Sequence, residues 1–122
     1  MTQPDLLSMK KICSQIRRDI VRMVYNCQSG HPGAALGTTE FFVALYFRIM
    51  KHNKQFNMDG NGEDLFFLSN GHLSAVWYAT LARAGYFDAK ELSTFRALDS
   101  RLQGHPATHE HLPGIRVASG SL

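Results

Sequence analysis

Cysteine is scarce in this chain, with only Cys13 and Cys27 among 122 residues. The two stand too far apart for a C-x-x-C knuckle, and a single pair makes no disulfide scaffold. Buried free thiols in a cytoplasmic protein are the expected state of both. Long apolar runs are missing too. Nothing approaches the roughly 18 consecutive apolar residues of a membrane span. The N-terminus also lacks an apolar stretch followed by a small-residue cleavage site, so neither a membrane anchor nor a signal peptide is expected. The patterns GxxxxGK[ST], GxGxxG and GxSxG are absent, as are internal repeats and low-complexity tracts. Excess charge is small: the formal net charge is +3, and part of it comes from Lys10, Lys11, Arg17, Arg18 and Arg22. Such a run is usually one solvated helix face. Without an aromatic-interleaved basic stripe, no nucleic-acid partner is expected.

What is present describes an ordinary globular chain, 44% hydrophobic and 19% charged. That is enough for one domain with a core, and short for two. Leu6, Met9, Ile12, Cys13, Ile16, Ile20, Met23, Val24 and Cys27 recur at three- and four-residue steps, with Lys, Arg, Gln and Asp between them. The spacing predicts an amphipathic helix over 5–28, ended by Ser29-Gly30. A second helix is expected from an N-cap at Thr38, burying Phe41, Phe42, Leu45, Tyr46 and Ile49. Residues 51–64 read as a polar loop. Leu65-Phe66-Phe67-Leu68 reads as a short buried strand, and His72–Ala84 as a third helix with Gly85 at its C′ position. Asp88 and Glu91 form a capping-box pattern with Phe87 and Leu92 as the staple, so a fourth helix of about ten residues should follow. From Asp99 to Gly120 the chain is mostly irregular, with a possible short strand near Ile115–Val117. A strand between helices implies an α/β sheet that this chain begins without completing.

Three histidines stand in glycine-bearing contexts: Ser29-Gly30-His31-Pro32-Gly33, Ser69-Asn70-Gly71-His72 and Gln103-Gly104-His105-Pro106. Glycine permits tight turns and close approach of backbone to a ligand, and imidazole both donates and accepts hydrogen bonds. The strand–turn–helix at 65–72 would suit a phosphate, because free N–H groups and the helix dipole converge there. Its plainer reading, a helix capped by Ser69 or Asn70 with His72 exposed, is equally open on local signal. Taken alone, the turn at His31 reads as a tight connection between helices. His105, His109 and His111 could supply zinc with three ligands, but no companion carboxylate stands at fixed spacing. The plainer reading leaves His109 and His111 decorating a loop. Asp59–Asp64 fails the calcium-loop pattern, since Asp64 replaces the turn glycine and Asn70 the closing glutamate.

Taken together, SGHPGAALG at 29–37, LSNGH at 68–72, the GYF segment with its capped helix, FRALDSRLQGHP at 95–106 and LPGIRVASGSL at 112–122 resemble transketolases. The likeness is to their N-terminal, thiamine-diphosphate-binding domain, and most of all to the N-terminal subunit of the split forms. It implies a helix-rich, incomplete part of a doubly wound parallel α/β sheet. Residues 1–122 would be the N-terminal portion of a single domain, ending before the Gly-Asp-Gly…Asn element that holds the metal. In that family the cofactor's thiazolium carbanion carries a two-carbon ketol unit from a ketose phosphate to an aldose phosphate. Carried over by motif, His72 would contact the diphosphate, Gly120, Ser121 and Leu122 would line the cofactor, and His31 and His105 would act on the sugar. The cofactors implied are thiamine diphosphate and Mg2+ or another divalent cation, with no metal ligand in this chain. The partners implied are sugar phosphates, a missing C-terminal part or separate C-terminal subunit, and a homodimer or heterotetramer. A non-enzymatic small helical interaction module is the competing expectation. It leaves the glycine–histidine contexts unexplained.

Overall fold

The computed structural model describes residues 4–107 and 110–117. Its organising element is a short helix with no polar face, SAVWYATLAR, in which every residue from Ser74 to Ala82 is buried. A helix that is apolar all round must be enclosed on every side. Helix α1 (Leu6–Cys27), α2 (Pro32–Gly37) and α3 (Thr39–Ala44) all pack on this helix, α4 (Ser74–Arg83), and a 3-10 segment at Ala89–Thr94 adds a further wall.

The expected first helix forms almost as spaced. The Asp5 carboxylate accepts from the Ser8 N–H at 2.8 Å, and Gln28 ends the helix in the left-handed region at φ 51°. Cys13, Ile16, Ile20 and Met23 face the core. Asp19 departs from the expected polar face, being only 5% exposed. Arg83 of α4 explains it: Nε and Nη2 each donate to the Asp19 carboxylate at 2.8 Å, and Gln15 Nε2 adds a third bond at 3.0 Å. Charge-assisted, bidentate pairing compensates the burial of that carboxylate.

The second helix is subdivided. Pro32 opens α2 where the sequence pattern suggests only a turn; Thr38 then precedes α3, and a π-helical turn at Leu45–Ile49 follows. Thr38 makes no side-chain cap and donates backwards to the Ala34 carbonyl at 2.9 Å. Phe42, Val43 and Tyr46 are buried, while Phe41 (57% exposed) and Ile49 (71%) are not.

No strand forms among the described residues, contrary to the expectations at Leu65–Leu68 and Ile115–Val117. The exposure of 65–68 nevertheless alternates: Leu65 (47%) and Phe67 (54%) point out, while Phe66 and Leu68 pack on the core. A ladder needs a neighbouring strand, and the described residues supply none. The expected fourth helix is also shorter. Asp88 does cap it, accepting from the Lys90 N–H at 2.9 Å, but the segment is a six-residue 3-10 helix. Glu91 does not complete the capping box, because its carboxylate takes both Nε and Nη2 of Arg101, at 2.8 and 2.7 Å.

The 51–64 loop is closed by its own side chains. Lys51 and Asp64 exchange two bonds, and Arg116 donates to the carbonyls of Asn57 and Met58 while lying 4.7 Å over the Phe56 ring. Beneath it, Trp77 Nε1 donates to the Tyr46 hydroxyl at 2.8 Å. The ring of His52 stacks on Tyr86 and bonds both the Tyr86 hydroxyl and the Tyr46 carbonyl. A carbonyl only accepts, so Nε2 carries the proton and Nδ1 accepts from Tyr86.

Two outcomes are expected. Tyr46→Phe leaves the buried Trp77 N–H unpaired and should destabilise the chain by about 1–3 kcal/mol, measurable by urea denaturation. Burial raises the phenol of Tyr86 to about 12, and those of Tyr46 and Tyr78 also upward. Unfolded tyrosine ionises near about pH 10. Above that pH the unfolded chain sheds protons that the folded chain keeps, so stability that is full below about pH 10 must fall as pH rises towards about 12. Denaturation midpoints measured across that window should decline, and Tyr86→Phe should flatten the decline.

Candidate functional site

The entry to α4 sets the geometry. Asn70 precedes a 3-10 turn, Gly71–Leu73, that runs directly into α4, and it makes no side-chain cap. The first N–H groups of a helix have no carbonyl behind them, and the helix dipole adds partial positive charge. His72 sits half-buried in the middle of this turn.

His31 is exposed and occupies the N-cap position of α2, just before Pro32. Its ring meets that of His72 edge-on, with centroids 5.4 Å apart and planes at 64°. The glycine ahead of it, Gly30, has φ +131°, a conformation that L side chains rarely adopt. A side chain there would also press on Val24, whose Cγ2 lies 3.2 Å from the position of a Cβ.

His105 is half-buried, and the backbone before it is tied to the same helix. The Ser74 hydroxyl donates to the Gly104 carbonyl at 2.6 Å, and the Tyr78 hydroxyl to the Gln103 carbonyl at 2.6 Å. Ser74 lies two residues beyond His72. The turn that carries His105 is thus fastened to the first turn of the helix that His72 leads into. Gln103 secures the loop from the other side, donating to the carbonyls of Ser100 and Ala97.

The remaining expected positions divide. His109, Gly120, Ser121 and Leu122 lie outside the described residues. His111 is exposed, with φ 55°. Among the described residues, no group of three His, Cys, Asp or Glu side chains is placed to hold a metal ion. What the site offers is an uncapped helix start beside two imidazoles. That donor set fits a phosphate or diphosphate group, which wants N–H donors and positive potential.

Residues 8–122 match the family described as the transketolase thiamine diphosphate binding domain. The chain belongs to that family. It is 39% identical over 118 residues to a transketolase of Buchnera aphidicola, covering 96% of this chain and 17% of that one. It is 38% identical to the Aquifex aeolicus transketolase, covering 99% and 18% respectively. One subunit of an apulose-4-phosphate transketolase from Actinobacillus succinogenes is 35% identical, with 93% of this chain and 41% of that subunit covered. Among solved structures, transketolase from Leishmania mexicana superposes with a TM-score of 0.85 at 34% identity, covering 99% of this chain and 18% of that one. The Campylobacter jejuni transketolase gives 0.84 at 30% identity, covering 98% and 18%. The chain therefore spans about a sixth of the length of most of these relatives, and its fold is that of the transketolase N-terminal domain, helix-rich among the described residues. Family membership displaces the freestanding helical module as a reading.

In this transketolase-family chain, Arg96 and His52 carry no signal in the sequence pattern that marks them out. His52 has no glycine context to flag it, and its two bonds give it a structural place. Arg96 lies within the FRALDSRLQGHP segment, and only its backbone geometry and its contact with Gly104 set it apart.

Proposed function

We propose that this chain is the N-terminal portion of a thiamine-diphosphate-dependent transketolase that moves a two-carbon ketol unit from a ketose phosphate to an aldose phosphate. The observation that carries this reading is the edge-on pair of His31 and His72 at the uncapped start of α4, in a chain of this family. His72, with the N–H groups of its turn, would hold the cofactor's diphosphate. Gly120, Ser121 and Leu122 would line the cofactor by backbone contact. When bound, thiamine diphosphate supplies the nucleophilic carbon, so the protein's share is orientation, hydrogen bonding and electrostatics. His31 and His105 would bond the sugar's hydroxyl and carbonyl oxygens and move protons, which imidazole does well near neutral pH.

The divalent cation, Mg2+ or an equivalent, would be held by residues outside this chain. So would the partner that completes the site, whether a C-terminal continuation or a separate subunit, in a homodimer or heterotetramer. Leu65–Leu68 would join a doubly wound parallel sheet there. Its alternating exposure supports this, since strands covered on both faces are apolar on both. The two free thiols, one buried and one half-buried, accord with a cytoplasmic setting.

Five single variants of the assembled enzyme test the roles. His72→Ala should chiefly weaken cofactor binding, because a hydrogen bond to a charged phosphate contributes about 1.5–3 kcal/mol, tenfold or more in affinity. His105→Ala and His31→Ala should lower turnover with cofactor affinity little changed. His109→Ala and His111→Ala should be close to silent. If these two were as damaging as His105→Ala, a metal role for the 105–111 segment would replace the loop reading. The 122-residue chain supplied with thiamine diphosphate and Mg2+ but no other protein should show negligible ketol transfer, and appreciable turnover would refute the need for a partner.

A further inference from the structure

Phe95 and Arg96 are consecutive, and each lies against the glycine that precedes one of the site histidines. A Cβ on Gly30 would stand 3.6 Å from Phe95 Cε2. A Cβ on Gly104 would collide with the Arg96 guanidinium, 2.7 Å from Cζ and Nη1 and 3.0 Å from Nη2. Gly30 leads into His31 and Gly104 into His105. Phe95 is buried and meets Tyr78 edge-on, with ring centroids 5.9 Å apart. Tyr78 in turn donates to the Gln103 carbonyl. One two-residue element therefore touches both turns and the helix between them.

Arg96 holds its place against two penalties. Its φ is +63°, in the left-handed region that residues other than glycine, asparagine and aspartate seldom enter. Its Nη1 is buried with no hydrogen-bond partner among the described residues. A buried, unpaired guanidinium donor is unfavourable, and neither feature serves stability. Strained backbone persists where the surroundings over-determine it, and it gathers at functional sites. Here the surroundings do: the Arg96 N–H donates to the Leu102 carbonyl at 2.7 Å, and the Glu91–Arg101 pair braces the same loop.

We propose that Arg96 is a positioning residue for His105. Its planar guanidinium lies over the α-carbon of Gly104 and fixes how the Gly104-His105 turn presents the imidazole. Glycine is required at 104 because any side chain would displace that group. Arginine is required at 96 because the ammonium of lysine cannot lie flat against the turn. This inference rests on the reading of His105 as a residue that faces the sugar.

The test is a mutant cycle in the assembled enzyme. Arg96→Asn is the first variant, since asparagine accommodates the left-handed backbone. Its thermal midpoint should stay within a few degrees of wild type and its thiamine diphosphate affinity should be unchanged, while kcat falls about ten- to a hundredfold, as expected of a misplaced catalytic group. Arg96→Lys should not restore the rate. Gly104→Ala, with Arg96 present but displaced, should reproduce the loss. Arg96→Asn combined with His105→Ala should be no slower than His105→Ala alone, because the arginine acts only through that imidazole. Losses that multiply in the double variant would overturn the proposal. So would full turnover in Gly104→Ala, or a lowered midpoint in Arg96→Asn with kcat intact. A His105→Ala enzyme as fast as wild type would remove the site reading first, and this inference with it.

Discussion

Enclosure of α4 is the constraint on which the rest of the structure depends. Its residues from Ser74 to Ala82 are all buried, so no side of it can be left to water. Each apolar side chain of this kind contributes about 1.5–3 kcal/mol when fully buried, which makes covering every side strongly favourable. α1, α2, α3 and the 3-10 segment therefore have to converge on one short helix. A consequence is that the loops joining these elements meet at the ends of α4. His31 ends one such loop, and His72 lies in the 3-10 turn that runs into the central helix. The candidate site is where it is because the core is where it is.

Burying a helix so completely forces polar groups inside with it, and each finds a partner. Ser74 and Tyr78 use their hydroxyls on the carbonyls of Gly104 and Gln103, which turns two buried donors into the anchors of the His105 loop. Trp77 uses Tyr46. Thr80 donates to the Val76 carbonyl one turn back. Arg83, at the helix end, takes the buried Asp19. Buried polar groups without partners are expensive, so these bonds specify which neighbour packs where. The same chemistry that satisfies the core thus fixes the approach of one of the three glycine–histidine turns, the one that carries His105.

Much of this is legible in the sequence, and the gaps have physical causes. The three- and four-residue spacing from Met9 to Cys27 locates α1, and the apolar run before Gly85 locates α4. The burial of Asp19 is not legible, because spacing alone cannot reveal a partner 64 residues away. The capping box expected at Asp88 and Glu91 fails for a related reason: Glu91 has the right position, but its carboxylate is taken by Arg101, ten residues on. The helix that Pro32 opens is missed, because Pro beside Gly reads as a turn; in the structure Pro32 takes the first helical position, where its missing N–H is harmless. The strand at Leu65–Leu68 is legible as a pattern and is still visible as alternating exposure, but hydrogen bonding across a sheet is a property of pairs of segments. For the site, the sequence supplies the three histidines and their glycines. It cannot say which glycine is held by what.

That last distinction changes how the glycine–histidine contexts should be understood. At Gly30 the requirement is local: φ +131° excludes most side chains whatever surrounds the residue. At Gly104 no positive φ is involved, and the backbone there would tolerate alanine. What a side chain there would displace is the Arg96 guanidinium, the end of a long side chain eight positions earlier in the chain. Two glycines that look equivalent in the sequence are therefore needed for different reasons, one conformational and one steric. Arg96 itself sits in a conformation better suited to glycine, so the strain at 96 and the absence of a side chain at 104 belong to a single arrangement. Relieving either one alone would leave the other without its purpose. The turn before His105 is best described as a pair of residues, Arg96 with Gly104, rather than as a glycine that happens to precede a histidine.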